Sequence, residues 1–132
     1  MNTFLTLSEK PACRVLLNGG EFSAENTTFT PIGCHNLLET LCPNKAFISA
    51  SGIDAWQGVT CYNVNELAMK HQALARCATS YLVADSTKFG KVLPARIGEL
   101  SQFQTLISDR PPAGPLSEIL TEQGIALHTL IN

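Results

Sequence analysis

The sequence predicts an α/β fold, a mostly parallel sheet with helices on both faces. Two observations predict it. Short apolar runs at Cys13–Leu17, Ala46–Ala50, Tyr81–Ala84, Thr105–Ile107 and Ile125–Ile131 read as buried strands. They alternate with segments of helical periodicity, and such alternation gives parallel strands joined by crossovers. The chain has 132 residues, 45% of them hydrophobic, which suits one domain (residues 1–132) with its own core.

The elements follow in order. Residues 3–9 suit a short helix, with Phe4, Leu5 and Leu7 on a partly apolar face. Cys13–Leu17 reads as a strand closed by Asn18-Gly19-Gly20, where glycine permits positive φ. Thr27–Thr30 is β-prone and suits a second strand. Leu37, Leu38 and Leu41 recur at near-helical spacing, so a helix is expected over 32–41, ended by Pro43. After the strand Ala46–Ala50 comes a polar, glycine-punctuated loop, Ser51–Cys61. Asn63 then reads as an N-cap, with Glu66 three residues on as in a capping box. Leu67, Leu74 and Cys77 carry a helical face to about Ala78. Arg110-Pro111-Pro112-Ala113-Gly114-Pro115 is a stiff linker to a last helix over 116–123, stopped by Gly124.

Charge and composition exclude several function classes. Nine basic and eleven acidic residues give a net charge of −2 with no basic stripe, so this chain alone lacks the footprint of a nucleic-acid binder. No apolar run approaches the ~18 residues that span a bilayer. The first ten residues have no charged start followed by an apolar core, so no signal peptide is read and a cytoplasmic location is expected. Cys13, Cys34, Cys42, Cys61 and Cys77 form no CxxC pair, and no histidine completes a zinc spacing. Reduced, mostly buried thiols are expected, with no metal and no cofactor.

Two strand ends carry the candidate chemistry. Ser51-Gly52-Ile53-Asp54 follows one apolar run and Asp85-Ser86-Thr87-Lys88 another. Ligands of open parallel sheets gather beyond the carboxyl ends of strands. If these two strands are parallel neighbours, Ser51, Asp54, Asp85 and Lys88 converge at one rim. The helix opening at Asn63 would point its amides there, and such amides favour phosphate. Lys88 would meet a phosphate as a point charge, and Asp54 and Asp85 would accept from sugar hydroxyls. The plain alternative is that these are ordinary turn formers. Glu66 and Lys70 stand four apart in the order that stabilises a helix by about 0.3–0.5 kcal/mol. They read either as a solvated ion pair or, for Lys70, as a reach toward the rim. Lys70, Lys88, Asp54 and Glu66 together would also suit a Schiff-base or acid–base enzyme, though no sequence feature shows the perturbed pKa values this needs. Trp56, in a loop, stacks either on a ligand or on its own domain.

Three blocks carry a resemblance. They are Phe47–Asp54 with Gly58-Val59-Thr60, Asn63 through Glu66 to Lys70, and Asp85-Ser86-Thr87-Lys88-Phe89-Gly90. In order and spacing they resemble the sensor domain of the DeoR family of bacterial transcriptional repressors. Asn2–Leu5, Gly19–Phe22, Met69-Lys70-His71, Lys88–Val92 and Pro94-Ala95-Arg96 extend the likeness nearly from end to end. The resemblance implies a non-catalytic domain folded like ribose-phosphate isomerases and glucosamine-phosphate deaminases. It further implies a sugar-phosphate effector, deoxyribose 5-phosphate for this branch, and an N-terminal helix-turn-helix that binds operator DNA. The family's effector-facing positions fall on Ser51, Gly52, Asp54, Glu66, Lys70 and Lys88, with Asp85 orienting the lysine loop. The DNA-binding module and the family's upstream Asp-x-Gly-Thr-Thr loop, with the strand before it, are not in this sequence. The expectation is therefore the later part of a sensor domain, incomplete at its N-terminus, whose open sheet edge a homo-oligomer would cover. A pentose-phosphate enzyme and a bare oligomerisation module are the other readings.

Overall fold

A computed structural model describes residues 2–25, 27–33 and 36–130. The chain forms two compact units, Met1–Leu41 and Cys42–Asn132.

The first unit holds α1 (Asn2–Ser8) and an antiparallel pair, β1 (Glu21–Ser23) with β2 (Thr28–Thr30), in which Phe22 faces Phe29. Their rings lie 5.2 Å apart. None of the described residues here is buried. The expected strand at Cys13–Leu17 is irregular backbone, because the run finds no ladder partner. Among the described residues of the expected helix over 32–41, Leu37–Glu39 forms a 3-10 turn whose first amides bond to the side chains of Asn36 and Asn18. Three leucines at helical spacing build a helix only against something that buries them. Cys34 lies outside the described residues, while Cys13 and Cys42 are exposed and only Cys61 is buried, which corrects the expectation of mostly buried thiols.

The second unit runs β3 (Lys45–Ser49), β4 (Gly52–Asp54), β5 (Gly58–Cys61), α2 (Leu67–Arg76), β6 (Thr79–Val83), β7 (Ala95–Gly98), β8 (Thr105–Ser108), α3 (Gly114–Glu122) and β9 (Ala126–Thr129). The four parallel strands stand in the order β3-β6-β8-β9. The α/β class and the parallel sheet are as the sequence predicts. A smaller antiparallel sheet, β4-β5-β7, forms where a loop is expected over Ser51–Cys61. Ile53 and Val59 in that segment are wholly buried.

One core joins these layers. Ile48 pairs with Leu82, and Leu82 with Leu106, on one face of the parallel sheet. Ile53, Val59, Ile97, Phe103, Leu116 and Leu120 close over them, with Leu67 and Leu74 packed alongside. Each such side chain contributes about 1.5–3 kcal/mol by leaving water. Alternate residues point the other way: Phe47 and Val83 are exposed, and Phe47 stacks on Tyr81 at 4.7 Å. In this unit α2 and α3 both pack on the Ile48 face. The reason is topological. The strand order never reverses, and right-handed crossovers that all step the same way fall on one side. Among the described residues no helix is long and apolar enough to cross a membrane.

Candidate functional site

The pairing of β3 with β6 decides the geometry. Their parallel register runs from Lys45 opposite Thr79 to Ser49 opposite Val83, so the two candidate segments leave the sheet side by side. The ladder continues past the strands. Ala50 N donates to Val83 O at 3.4 Å, and Ala84 N to Ile107 O at 3.1 Å. The segment after β6 then turns back along β4: Phe89 bridges Ile53, and Gly90 N donates to Ile53 O at 2.8 Å. Two of the three blocks thus lie against each other, and the third reaches them through a side chain. Lys70, in the first turn of α2, donates from Nζ to the Ser49 carbonyl at 2.7 Å. Glu66 Oε2 stands 3.4 Å from the same ammonium.

Each expected residue has a definite place. Ser51 is half-buried, and its amide donates to Thr60 O. Gly52 is buried, and a Cβ there would collide with Lys91 O and lie 2.7 Å from Thr60 Oγ1. Its glycine is explained by that close approach. Asp54 Oδ2 accepts from the amides of Trp56 (3.0 Å) and Gln57 (2.8 Å), fixing the hairpin tip. Asn63 caps a 3-10 turn, Val64–Glu66, by accepting from Asn65 N. Glu66 lies beside Lys70 instead of returning to the cap residue, so the expected capping box is replaced by an ion pair. Asp85 caps the 3-10 turn Ser86–Lys88, accepting from the hydroxyl and the amide of Thr87. Those bonds, the hydroxyl's first, hold its carboxyl below the ordinary value, with Lys88 adding to the effect. Lys88 Nζ is 4.0 Å from Asp85 Oδ2.

Asp109 belongs to this rim and is absent from the sequence expectations. It follows β8 as Asp85 follows β6. Its carboxylate accepts from Ser86 N at 2.6 Å, Ser86 Oγ at 2.9 Å and Ser108 Oγ at 3.2 Å. The Ser86 amide is the chief reason that its carboxyl sits low, working against partial burial. The same rule that selects Asp85, an acid just past an apolar run, would have found it. Below Lys70 lies Cys61, whose thiol burial pushes up, opposed by the Lys70 charge. Such a thiol is unreactive. His71 Nε2 lies 3.2 Å from Arg96 O, tying α2 to β7.

Two open grooves adjoin the hairpin tip. The larger, about 340 Å³, lies between Asp54, Trp56, Phe89, Gly90, Pro115 and Leu116. The smaller, about 110 Å³, also touches Trp56 and includes Arg96 and Glu99, whose charged groups are 3.8 Å apart. Chemically, the rim offers carboxylates already holding amides and hydroxyls, one lysine spent on backbone and glutamate, and one loosely held lysine. Such groups can accept from hydroxyls and attract an anion.

Residues 1–110 match the DeoR C terminal sensor domain. The chain belongs to the DeoR sensor-domain family. Its relatives agree. It is 45% identical over 127 residues to the deoxyribose operon repressor of Escherichia coli strain K12, covering 96% of this chain and 50% of that protein. It is 30% identical over 104 residues to the L-fucose operon activator of Haemophilus influenzae, 79% of this chain and 42% of that one. To the glycerol-3-phosphate regulon repressor of E. coli K12 it is 24% identical over 127 residues, 96% and 50% respectively. The chain spans about half the length of the curated relatives it matches.

Proposed function

We propose that this chain is the effector-sensing part of a transcriptional repressor, and that its effector is a sugar phosphate, deoxyribose 5-phosphate. One observation carries the choice of sugar: the 45% identity to a deoxyribose operon repressor over 96% of the chain. The rim supports the class of ligand. Ser51, Asp54 and Lys88 are the groups that meet the effector. Lys70, steadied by Glu66, adds positive charge at the edge of the site, while Gly52 and Asp85 shape the backbone around it. The ligand is bound and not turned over, in keeping with relatives named for repression and activation of operons.

Operator DNA is contacted through a helix-turn-helix outside this sequence, in keeping with a net charge of −2 and no basic stripe to track a nucleic-acid backbone. The protein works in the cytoplasm as a homo-oligomer, as a non-catalytic cousin of sugar-phosphate isomerases. Isothermal calorimetry with deoxyribose 5-phosphate tests the reading. Saturable binding that weakens in Lys88→Ala is expected. No heat at millimolar ligand, with glucose 6-phosphate as control, overturns the assignment.

A further inference from the structure

The groove beside the hairpin tip has a build that the rim alone does not explain. Trp56 is the single tryptophan of the chain and is 75% exposed, although it borders a cavity of about 340 Å³. Volumes of this order suit small ligands. An indole left in water loses the burial that ordinarily fixes it, so its position needs another source. The backbone beneath it supplies one. Asp54 Oδ2 holds the Trp56 amide at 3.0 Å and the Gln57 amide at 2.8 Å. Arg96 Nε reaches across from β7 to the Gln57 carbonyl at 3.1 Å. The backbone of the tip is therefore held in place without any help from the indole, and a backbone held in advance saves part of the ordering cost on binding.

Opposite Trp56 the groove is bounded by Phe89, Pro115 and Leu116, all apolar, and the one carboxylate in its wall is Asp54. That composition sorts a sugar phosphate by its ends. A carboxylate repels a phosphate dianion and accepts from hydroxyls, while the C–H face of a pentose packs on aromatic rings. Asp54, in the groove wall, is one of the proposed effector residues, and Phe89 directly follows Lys88 in the chain. We infer that Trp56 and Phe89 form the sugar platform of that site, with the pentose's hydroxyl end toward Asp54 and the phosphate directed away, toward Lys88. The inference rests on the effector reading above and adds the residues that select the sugar and the direction in which it lies.

The lone tryptophan makes a direct probe. Deoxyribose 5-phosphate titrated into the protein changes Trp56 emission with the same midpoint that calorimetry gives. Trp56→Ala weakens binding about tenfold, and Trp56→Phe restores most of it. Asp54→Asn, which can still cap the tip, weakens deoxyribose and its phosphate by the same factor. It leaves inorganic phosphate unweakened. Calorimetric binding with silent fluorescence, or full affinity in Trp56→Ala, overturns the platform and leaves the effector reading intact. Tighter binding of inorganic phosphate in Trp56→Ala would reverse the orientation and overturn the inference likewise. No calorimetric binding to the wild-type protein sinks both readings together.

Discussion

Lys70 and Lys88 reach the same edge of the parallel sheet, yet only one of them is spent on the fold. The Lys70 side chain is 16% exposed, bonded to the Ser49 carbonyl and flanked by Glu66. The Lys88 side chain is 35% exposed and, among the described residues, pairs with Asp85 at the outer limit of an ion pair. The difference comes from their supports. Lys70 rises from a helix packed on the core and must bridge to β3. Lys88 sits in a 3-10 turn that Asp85 and Asp109 already hold through Thr87 and Ser86, so its charge is left for something else. Two identical side chains at one rim thus differ in how far the fold already engages them, Lys70 closely and Lys88 loosely.

The comparison can be broken most severely at Gly52. It assumes that β4 lies tight against the segment leaving the 3-10 turn, and Gly52→Ala drives a methyl into Lys91 O and Thr60 Oγ1. The expected cost is about 2–4 kcal/mol. A urea midpoint shift equivalent to a few tenths of that would show that the approach is not needed. Lys70→Ala comes next. It strands Glu66 and the Ser49 carbonyl, and a loss of about 1–2 kcal/mol is expected, reduced by the water that reaches Glu66. Lys88→Ala should sharpen the contrast, changing stability by less than ~0.5 kcal/mol while weakening deoxyribose 5-phosphate about tenfold. Equal stability losses in the two lysine variants would erase the division proposed here.

The smallest effect is a matter of pH. Asp85 and Asp109 both titrate below their ordinary 3.8 in the folded protein. The unfolded chain therefore takes up protons first, and the stabilisation they provide is complete above about pH 5 and lost as pH falls through their folded values. Thermal midpoints should stay level from pH 7 to 5 and decline below about 4. Asp109→Asn should flatten part of that decline. A midpoint that falls between pH 7 and 5 would point to groups other than these two.

Much of the second unit was legible in the sequence. Ala46–Ala50, Tyr81–Ala84 and Thr105–Ile107 are apolar enough to be strands in any context, and each is one. The acids and hydroxyls behind them land on the rim because a strand's carboxyl end is known once its direction is. Other segments misled for identifiable reasons. Gly52, Asp54, Gln57 and Gly58 give Ser51–Cys61 a loop's composition, but Ile53, Val59 and Cys61 turn it into a buried hairpin. Cys13–Leu17 has a strand's composition and no neighbour to pair with. Ala95–Gly98 contains only two apolar side chains and pairs all the same, since β5 offers it an edge.

The sequence by itself determined the α/β class, the parallel strands and the polar segments that end them, because period and composition act over a few residues. It also held the family likeness, in the order of three short blocks. Only the tertiary structure decided the strand order β3-β6-β8-β9, and with it which face the helices cover. The same holds for the Asp109 bonds to Ser86, the Lys70 reach to Ser49 and the groove between Trp56 and Phe89. Each of these joins residues roughly twenty or more apart, and such contacts depend on how strands are ordered in space, which local preference does not encode.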